Sequence, residues 1–180
     1  MLQKCNLWNV ATVFFTEPET PFELMTISKK IQLAHTSVKK HLHTLIELQI
    51  IKTQKSQLGN KNNIVYTAKK RHPNYIHYKK IHNINALYKS RIIDYLTEKC
   101  QPNSIVLFGS YAKGEDTKTS DIDLFVESQE EKLKLEDFEQ ILHRKIQIHF
   151  KSYFQAFPPE LKNNILNGIV LAGYLEGYDA

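Results

Sequence analysis

Apolar residues recur at helical spacing three times within the first fifty positions. Leu7, Trp8, Val10, Ala11, Phe14 and Phe15 predict a helix around residues 5–16. Leu24, Ile27, Ile31 and Leu33 predict a second near 22–32, and Val38, Leu42, Leu45, Ile46 and Leu48 a third over about 37–49. Between these two, Leu33-Ala34-His35-Thr36-Ser37 reads as a tight turn, with Thr36 or Ser37 placed to cap the helix that follows. The period then becomes alternating. Ile50-Ile51-Lys52-Thr53-Gln54 and Ile64-Val65-Tyr66-Thr67 predict the two strands of a hairpin with a basic, polar tip at Gly59-Asn60-Lys61-Asn62-Asn63.

Pro73 interrupts the chain, and Ile76, Ile81, Ile84, Leu87, Tyr88, Ile92, Ile93 and Leu96 predict one or two amphipathic helices ending near Lys99. Beyond Pro102 come a strand at 104–108, a Gly109-Ser110 turn, a short helix across Tyr111–Gly114 and a strand at 121–126. A charged helix is predicted around 130–143, with Leu133, Leu135, Phe138, Ile141 and Leu142 inward. A strand at 145–151 follows, then a helix near 158–168 begun by Pro158-Pro159, and a short apolar segment from Gly168 to Gly173. The expected fold class is α+β. Its expected parts are a helical domain with a hairpin over 1–70, a helical connector and candidate dimer interface over 71–100, and a mixed sheet with helices over 101–180.

Composition narrows the class. At 180 residues, 42% hydrophobic and 24% charged, the chain suits one substantial domain or two small ones. No apolar run approaches the roughly 20 residues of a membrane span, and Val10–Phe15 is too short for a signal-peptide core. Cys5 and Cys100 form no paired motif, so neither a disulfide framework nor a zinc site is indicated. A cytoplasmic protein is expected. The charge is divided: residues 1–100 hold 16 Lys+Arg against 6 Asp+Glu, residues 101–180 hold 8 against 13. Net charges of +10 and −5 imply two modules with different partners, the first facing a polyanion.

The chemistry concentrates between Ile105 and Val126. On a strand, Asp121 and Asp123 point to one face while Ile122, Leu124 and Val126 enter a core. Two carboxylates beside a glycine turn that offers backbone N–H groups make a place for Mg²⁺ and a polyphosphate. The phrase Leu107-Phe108-Gly109-Ser110, followed by Ser120-Asp121-Ile122-Asp123-Leu124, resembles the nucleotidyltransferase superfamily of DNA polymerase beta-like folds, in particular its minimal members. The resemblance spans roughly residues 84–175. It implies Asp121 and Asp123 as catalytic metal ligands, with Gly109, Ser110, Lys113 and Ser120 toward the phosphates of a nucleoside triphosphate. Family members carry a third carboxylate on the neighbouring strand. Here that strand reads Arg144-Lys145-Ile146-Gln147-Ile148-His149-Phe150, and Gln147 takes the acid's place. A neutral amide is a poor ligand for a hard cation and cannot take the proton of an attacking hydroxyl. His149 looks toward the same side, and Glu127 shares the face of the two aspartates at the strand's far end.

The first module resembles winged helix-turn-helix domains of prokaryotic transcription regulators, in Ser37-Val38-Lys39-Lys40-His41-Leu42-His43-Thr44-Leu45 followed by Leu48-Gln49-Ile50-Ile51. The resemblance implies double-stranded DNA as partner, with His35, Thr36, Ser37, Lys39, Lys40 and His43 on a recognition helix and Lys55 and Lys61 on the wing. It also implies a homodimer, although the connector could equally pack within one chain; a domain serving only for dimerisation or protein docking is the alternative. The expected function is a DNA-binding transcriptional regulator whose nucleotidyltransferase-like domain binds nucleotide and Mg²⁺, with catalysis weak or lost. The alternatives are an active transferase of a nucleoside monophosphate to a protein, RNA or small-molecule hydroxyl, and the nucleotidyltransferase of a toxin–antitoxin pair.

Overall fold

The computed structural model describes residues 5–55, 63–152, 154 and 158–176. The chain forms two compact units, Met1–Lys79 and Lys80–Ala180. Elements run α1 (Asn6–Thr16), β1 (Phe22–Glu23), α2 (Leu24–Ile31), α3 (His35–Glu47), β2 (Ile51–Lys55), β3 (Ile64–Ala68) and α4 (Pro73–Ser90). Then follow α5 (Ile92–Cys100), β4 (Ser104–Phe108), α6 (Gly109–Lys113), β5 (Ile122–Val126), α7 (Glu136–Leu142), β6 (Ile146–Phe150), α8 (Pro159–Leu166) and β7 (Ile169–Gly173). Among the described residues, no helix is long and apolar enough to cross a membrane.

In the first unit three helices and a small antiparallel sheet of order β1-β3-β2 pack together, an element order consistent with the expected winged helix-turn-helix. Val10, Phe14, Phe15, Ile27, Val38, Leu42 and Leu45 bury the facing stripes of α1, α2 and α3 together. The last carbonyls of α1 lack intrahelical donors. Tyr75 Oη donates to Phe14 O at 3.0 Å and Lys79 Nζ to Phe15 O at 2.9 Å, so the first turns of α4 close that helix end. The buried Lys79 ammonium also suits the negative end of the α1 dipole.

The turn between α2 and α3 differs from expectation. Gln32 ends α2 in the left-handed region at φ 55°, and α3 begins at His35 with Ala34 as its N-cap. Thr36 and Ser37 therefore lie inside the first turn and cap nothing. Ser28 does the fastening instead: its Oγ donates to Leu33 O at 2.5 Å and lies 3.1 Å from His35 Nδ1. The two-residue strand β1, pairing Phe22 with Tyr66, was not anticipated, because two residues carry no alternation.

In the second unit a four-stranded sheet has the order β6-β5-β4-β7. β4 runs antiparallel to β5 and β7, and β5 runs parallel to β6 across the α7 connection. Both faces of the central strands are covered. Ile105, Leu107, Ile122, Leu124 and Val126 pack with Leu87, Ile92, Ile93 and Leu96 on one side, and Val106, Phe108 and Phe125 with Phe154 and Ile165 on the other. Double coverage explains why β4 is, after Ser104, a continuous apolar run rather than an alternating one. The apolar segment after Gly168 is strand β7. The charged helix is shorter than its periodicity suggested: α7 starts only at Glu136, and Ile141 is exposed rather than inward. Leu133 and Leu135 still reach the core, but from the irregular segment ahead of the helix.

Candidate functional site

At the end of β4 the chain must turn sharply while a carboxylate stands beside it. Phe108 is level with Asp123 across the β4–β5 ladder, and Gly109 follows with φ 75°. A Cβ on Gly109 would lie 2.4 Å from Asp123 Oδ2. Glycine is required there twice, for its left-handed backbone and for the space Asp123 occupies. Gly109 and Ser110 open α6, so their amides have no acceptor within that helix. Gly114 closes it, again left-handed at φ 69°.

The segment leading back to β5 is held from below. Asp116 is buried; its Oδ1 accepts from Asn83 Nδ2 at 2.8 Å and its Oδ2 from Arg144 Nη2 at 3.4 Å. Arg144 Nη1 also donates to Lys118 O at 2.5 Å, and Asn83 Nδ2 to Tyr111 O at 2.8 Å. Burial, with Asp116 nearby, pushes the Tyr111 hydroxyl well above the ordinary phenol range, against the opposing pull of Arg144. Ser120 Oγ accepts from Thr117 N at 2.9 Å, so this hydroxyl shapes its own loop. Asp116, Asn83 and Arg144 carry no recognisable spacing. Arg144 lies in the strand phrase already quoted, whereas Asp116 is one acid among several polar loop residues.

Asp121 precedes β5 and Asp123 lies on it, two residues apart and on one face. The parallel neighbour β6 presents two polar side chains to them. Gln147 Nε2 donates to Asp121 Oδ2 at 2.5 Å. His149 Nε2 stands 3.7 Å from Asp123 Oδ1, shielded from solvent and without a hydrogen bond, while the Phe108 ring packs on the imidazole at 5.1 Å. In register Gln147 is level with Asp123 and His149 with Phe125, so each reaches one same-face position back along β5. Glu127 shares that face but is committed elsewhere, accepting from Ser104 Oγ at 2.9 Å and Phe154 N at 3.3 Å.

Beside Asp121 a cleft of about 630 Å³ opens between Lys118, Glu136, Glu139, Arg144 and Lys145, within the size range of small-molecule sites. The Lys145 ammonium is held charged above the ordinary lysine range, first by its hydrogen bond to Glu139. Lys113 is exposed at the end of α6, and among the described residues no ion pair links it to either aspartate. No three His, Cys, Asp or Glu among the described residues form a metal-holding group. Asp121 and Asp123 fit a cation that completes its shell with water and phosphate oxygens, as Mg²⁺ does in nucleotide sites.

On the first unit, Thr36, Lys39, Lys40 and His43 are exposed on α3, Ser37 is half-buried, and His43 lies 3.5 Å from Glu47. Lys55 is exposed at the end of β2, and Lys61 lies outside the described residues.

The sequence profile of the nucleotidyltransferase domain family matches residues 89–172. A Methanocaldococcus jannaschii relative, whose name assigns it provisionally as a protein adenylyltransferase, is 43% identical over 63 residues, covering 32% of this chain and 73% of the relative. Among solved structures, a mutant of Lactococcus lactis ZitR superposes with a TM-score of 0.40 at 16% identity, over 50% of this chain and 59% of that one. A Methanosarcina mazei Go1 structure, titled a possible transcriptional regulator, gives a TM-score of 0.35 at 26% identity, over 54% of this chain and 78% of that one.

Proposed function

Since this chain belongs to the nucleotidyltransferase domain family, we propose that its second unit binds a nucleoside triphosphate with Mg²⁺ as an effector, transfers weakly or not at all, and serves a DNA-binding regulator. The observation that carries the loss of transfer is the Gln147 amide on Asp121, where the family's third carboxylate would stand. Asp121 and Asp123 hold the cation, which offsets phosphate charge. The Gly109 and Ser110 amides face phosphate oxygens, with Lys113 and Ser120 alongside. Gln147 fixes Asp121 by donating to it, yet it offers no base for an acceptor hydroxyl. On the first unit, Thr36, Ser37, Lys39, Lys40 and His43 face the DNA with Lys55 and Lys61, and two copies read paired half-sites.

Titration calorimetry with ATP and Mg²⁺ tests the seat. Saturable binding in the unmodified protein is expected, lost on Asp121→Asn/Asp123→Asn while DNA gel shifts persist. Gln147→Glu is expected to raise label transfer from radiolabelled ATP above that of the unmodified chain. The provisional adenylyltransferase assignment of the M. jannaschii relative favours a second reading, a working transferase of a nucleoside monophosphate to a hydroxyl. Brisk, Asp121-dependent label transfer by the unmodified protein would decide for it. Lys39→Glu/Lys40→Glu that still shifts DNA as before would remove α3 from the DNA.

A further inference from the structure

The DNA-facing residues account for only part of the positive charge of the first unit. Residues 1–79 hold twelve Lys+Arg against four Asp+Glu, a net of +8. A second concentration lies at the base of the hairpin, where β2 begins and β3 ends, away from Lys55 and Ile64 at the other end of the same strands. There Lys52, Lys69, Lys70, Arg71 and His72 line an open furrow of about 500 Å³.

Two stretches of chain supply these groups, and their backbones are fixed. Lys52 pairs across the ladder with Thr67. Lys69 N donates to Ile50 O at 2.9 Å and His72 N to Lys69 O at 2.8 Å, folding the Lys69–His72 turn against the strand ends. Asn74 donates from its backbone to His72 Nδ1 and from its side chain to Leu48 O at 2.9 Å, which ties the start of α4 to the same place. Counter-charge is sparse: Lys70 meets Glu19 at 3.3 Å, Lys69 donates to the neutral Gln49 amide, and the first turn of α4 carries no carboxylate. Like charges gathered in a preformed concavity raise the local potential more than the same charges spread over a convex face.

We infer that this furrow binds the phosphodiester backbone of a nucleic acid, as a contact separate from α3 and the hairpin tip. The furrow is open and its lysines are long and mobile, which suits a run of phosphates rather than one enclosed anion. Its lining beyond the Lys and Arg side chains is His72, Ala68 and Pro73, with no large apolar side chain to enter a bilayer, and its concavity matches a rod better than a plane. The contact carries no base readout, so it adds affinity and salt dependence without sequence preference.

The test is fluorescence anisotropy with a mixed-sequence 30-base-pair duplex, and a hairpin RNA of similar length, across 50–200 mM salt. Lys69→Gln/Lys70→Gln/Arg71→Gln in the full chain should weaken binding to at least one of them about tenfold or more and lower the salt slope by roughly two to three, near 0.9 per lost phosphate contact. The charge-keeping Lys69→Arg/Lys70→Arg/Arg71→Lys variant should bind as the unmodified protein does. A second measurement needs no variant: bound nucleic acid should slow acetylation of Lys52, Lys69 and Lys70 several-fold. An unchanged slope in the neutral variant, unprotected lysines, or binding to anionic vesicles but to neither nucleic acid each overturns the proposal. Lys39→Gln/Lys40→Gln, run in parallel, keeps the two surfaces apart. Loss in that variant alone leaves α3 standing and removes the furrow; loss in the furrow variant alone does the reverse.

Discussion

A methyl group on Gly109 meets two obstacles at once, a left-handed backbone at φ 75° and the Asp123 carboxylate at 2.4 Å. The backbone alone costs an L-residue about 1–2 kcal/mol, and Asp123 cannot retreat freely because the Phe108 and His149 rings flank its strand. Gly109→Ala is therefore expected to lose at least about 1–2 kcal/mol in urea unfolding and to weaken ATP–Mg²⁺ binding as Asp123 is displaced. A variant as stable and as competent as the parent would contradict this. The Gly-Ser and Asp-x-Asp pair was legible in the sequence because both of its constraints are local, a turn and an alternation. The partner of Gln147 was not. Alternation places Gln147 on the aspartate face, but only the parallel β5–β6 register, with Gln147 level with Asp123, lets its amide lean back onto Asp121.

Elements position this site through their ends. The segment from Gly114 to Asp121 has no ladder of its own, and the buried Asp116–Arg144 pair, with Asn83, supplies its anchorage. Asp116→Ala removes the counter-charge of a buried guanidinium that keeps Lys118 O as an acceptor, and one of the two acceptors of the Asn83 amide, which keeps Tyr111 O; a buried pair that loses one partner costs about 3–5 kcal/mol. Urea unfolding should register a loss of that order, whereas a change below about 1 kcal/mol would mean that water replaces the carboxylate. At the start of β6, Glu139 accepts from Lys145 Nζ at 2.6 Å and Ile146 N at 3.0 Å, and these bonds hold its carboxyl below the ordinary range. A lowered carboxyl pKa stabilises the fold above its unfolded value, near 4.3, and that contribution fades as pH falls through the folded value. Melting curves from pH 7 down to pH 3 should therefore show the Tm gap between the parent and Glu139→Gln closing toward acid; a gap that widens there would reverse the assignment. Element existence was largely readable from period, because long stripes such as that of α3 and runs such as β4 dominate their windows. The exceptions follow from contacts distant in sequence. β1 exists only because Phe22 meets Tyr66, β7 is a strand because β4 accepts it, and α7 turns Phe138 and Leu142 to the core while Ile141 stays exposed.

For the whole molecule, an effector role requires more than two sites on one chain. If nucleotide with Mg²⁺ biases DNA binding, the factor by which saturating ATP–Mg²⁺ changes the Kd for DNA must equal the factor by which saturating DNA changes the Kd for ATP. Regulatory couplings typically amount to roughly 5–150-fold, well within the range of anisotropy and calorimetry. The coupling is expected to vanish in Asp121→Asn/Asp123→Asn and to survive changes of salt better than the DNA affinity itself, since the salt-dependent counterion term is common to the nucleotide-bound and nucleotide-free protein. A factor of one in both directions would leave a nucleotide seat and a DNA-binding surface that share a chain without regulating each other. Unequal factors would show instead that ATP is being consumed during the titration, and so that Gln147 has not silenced the site.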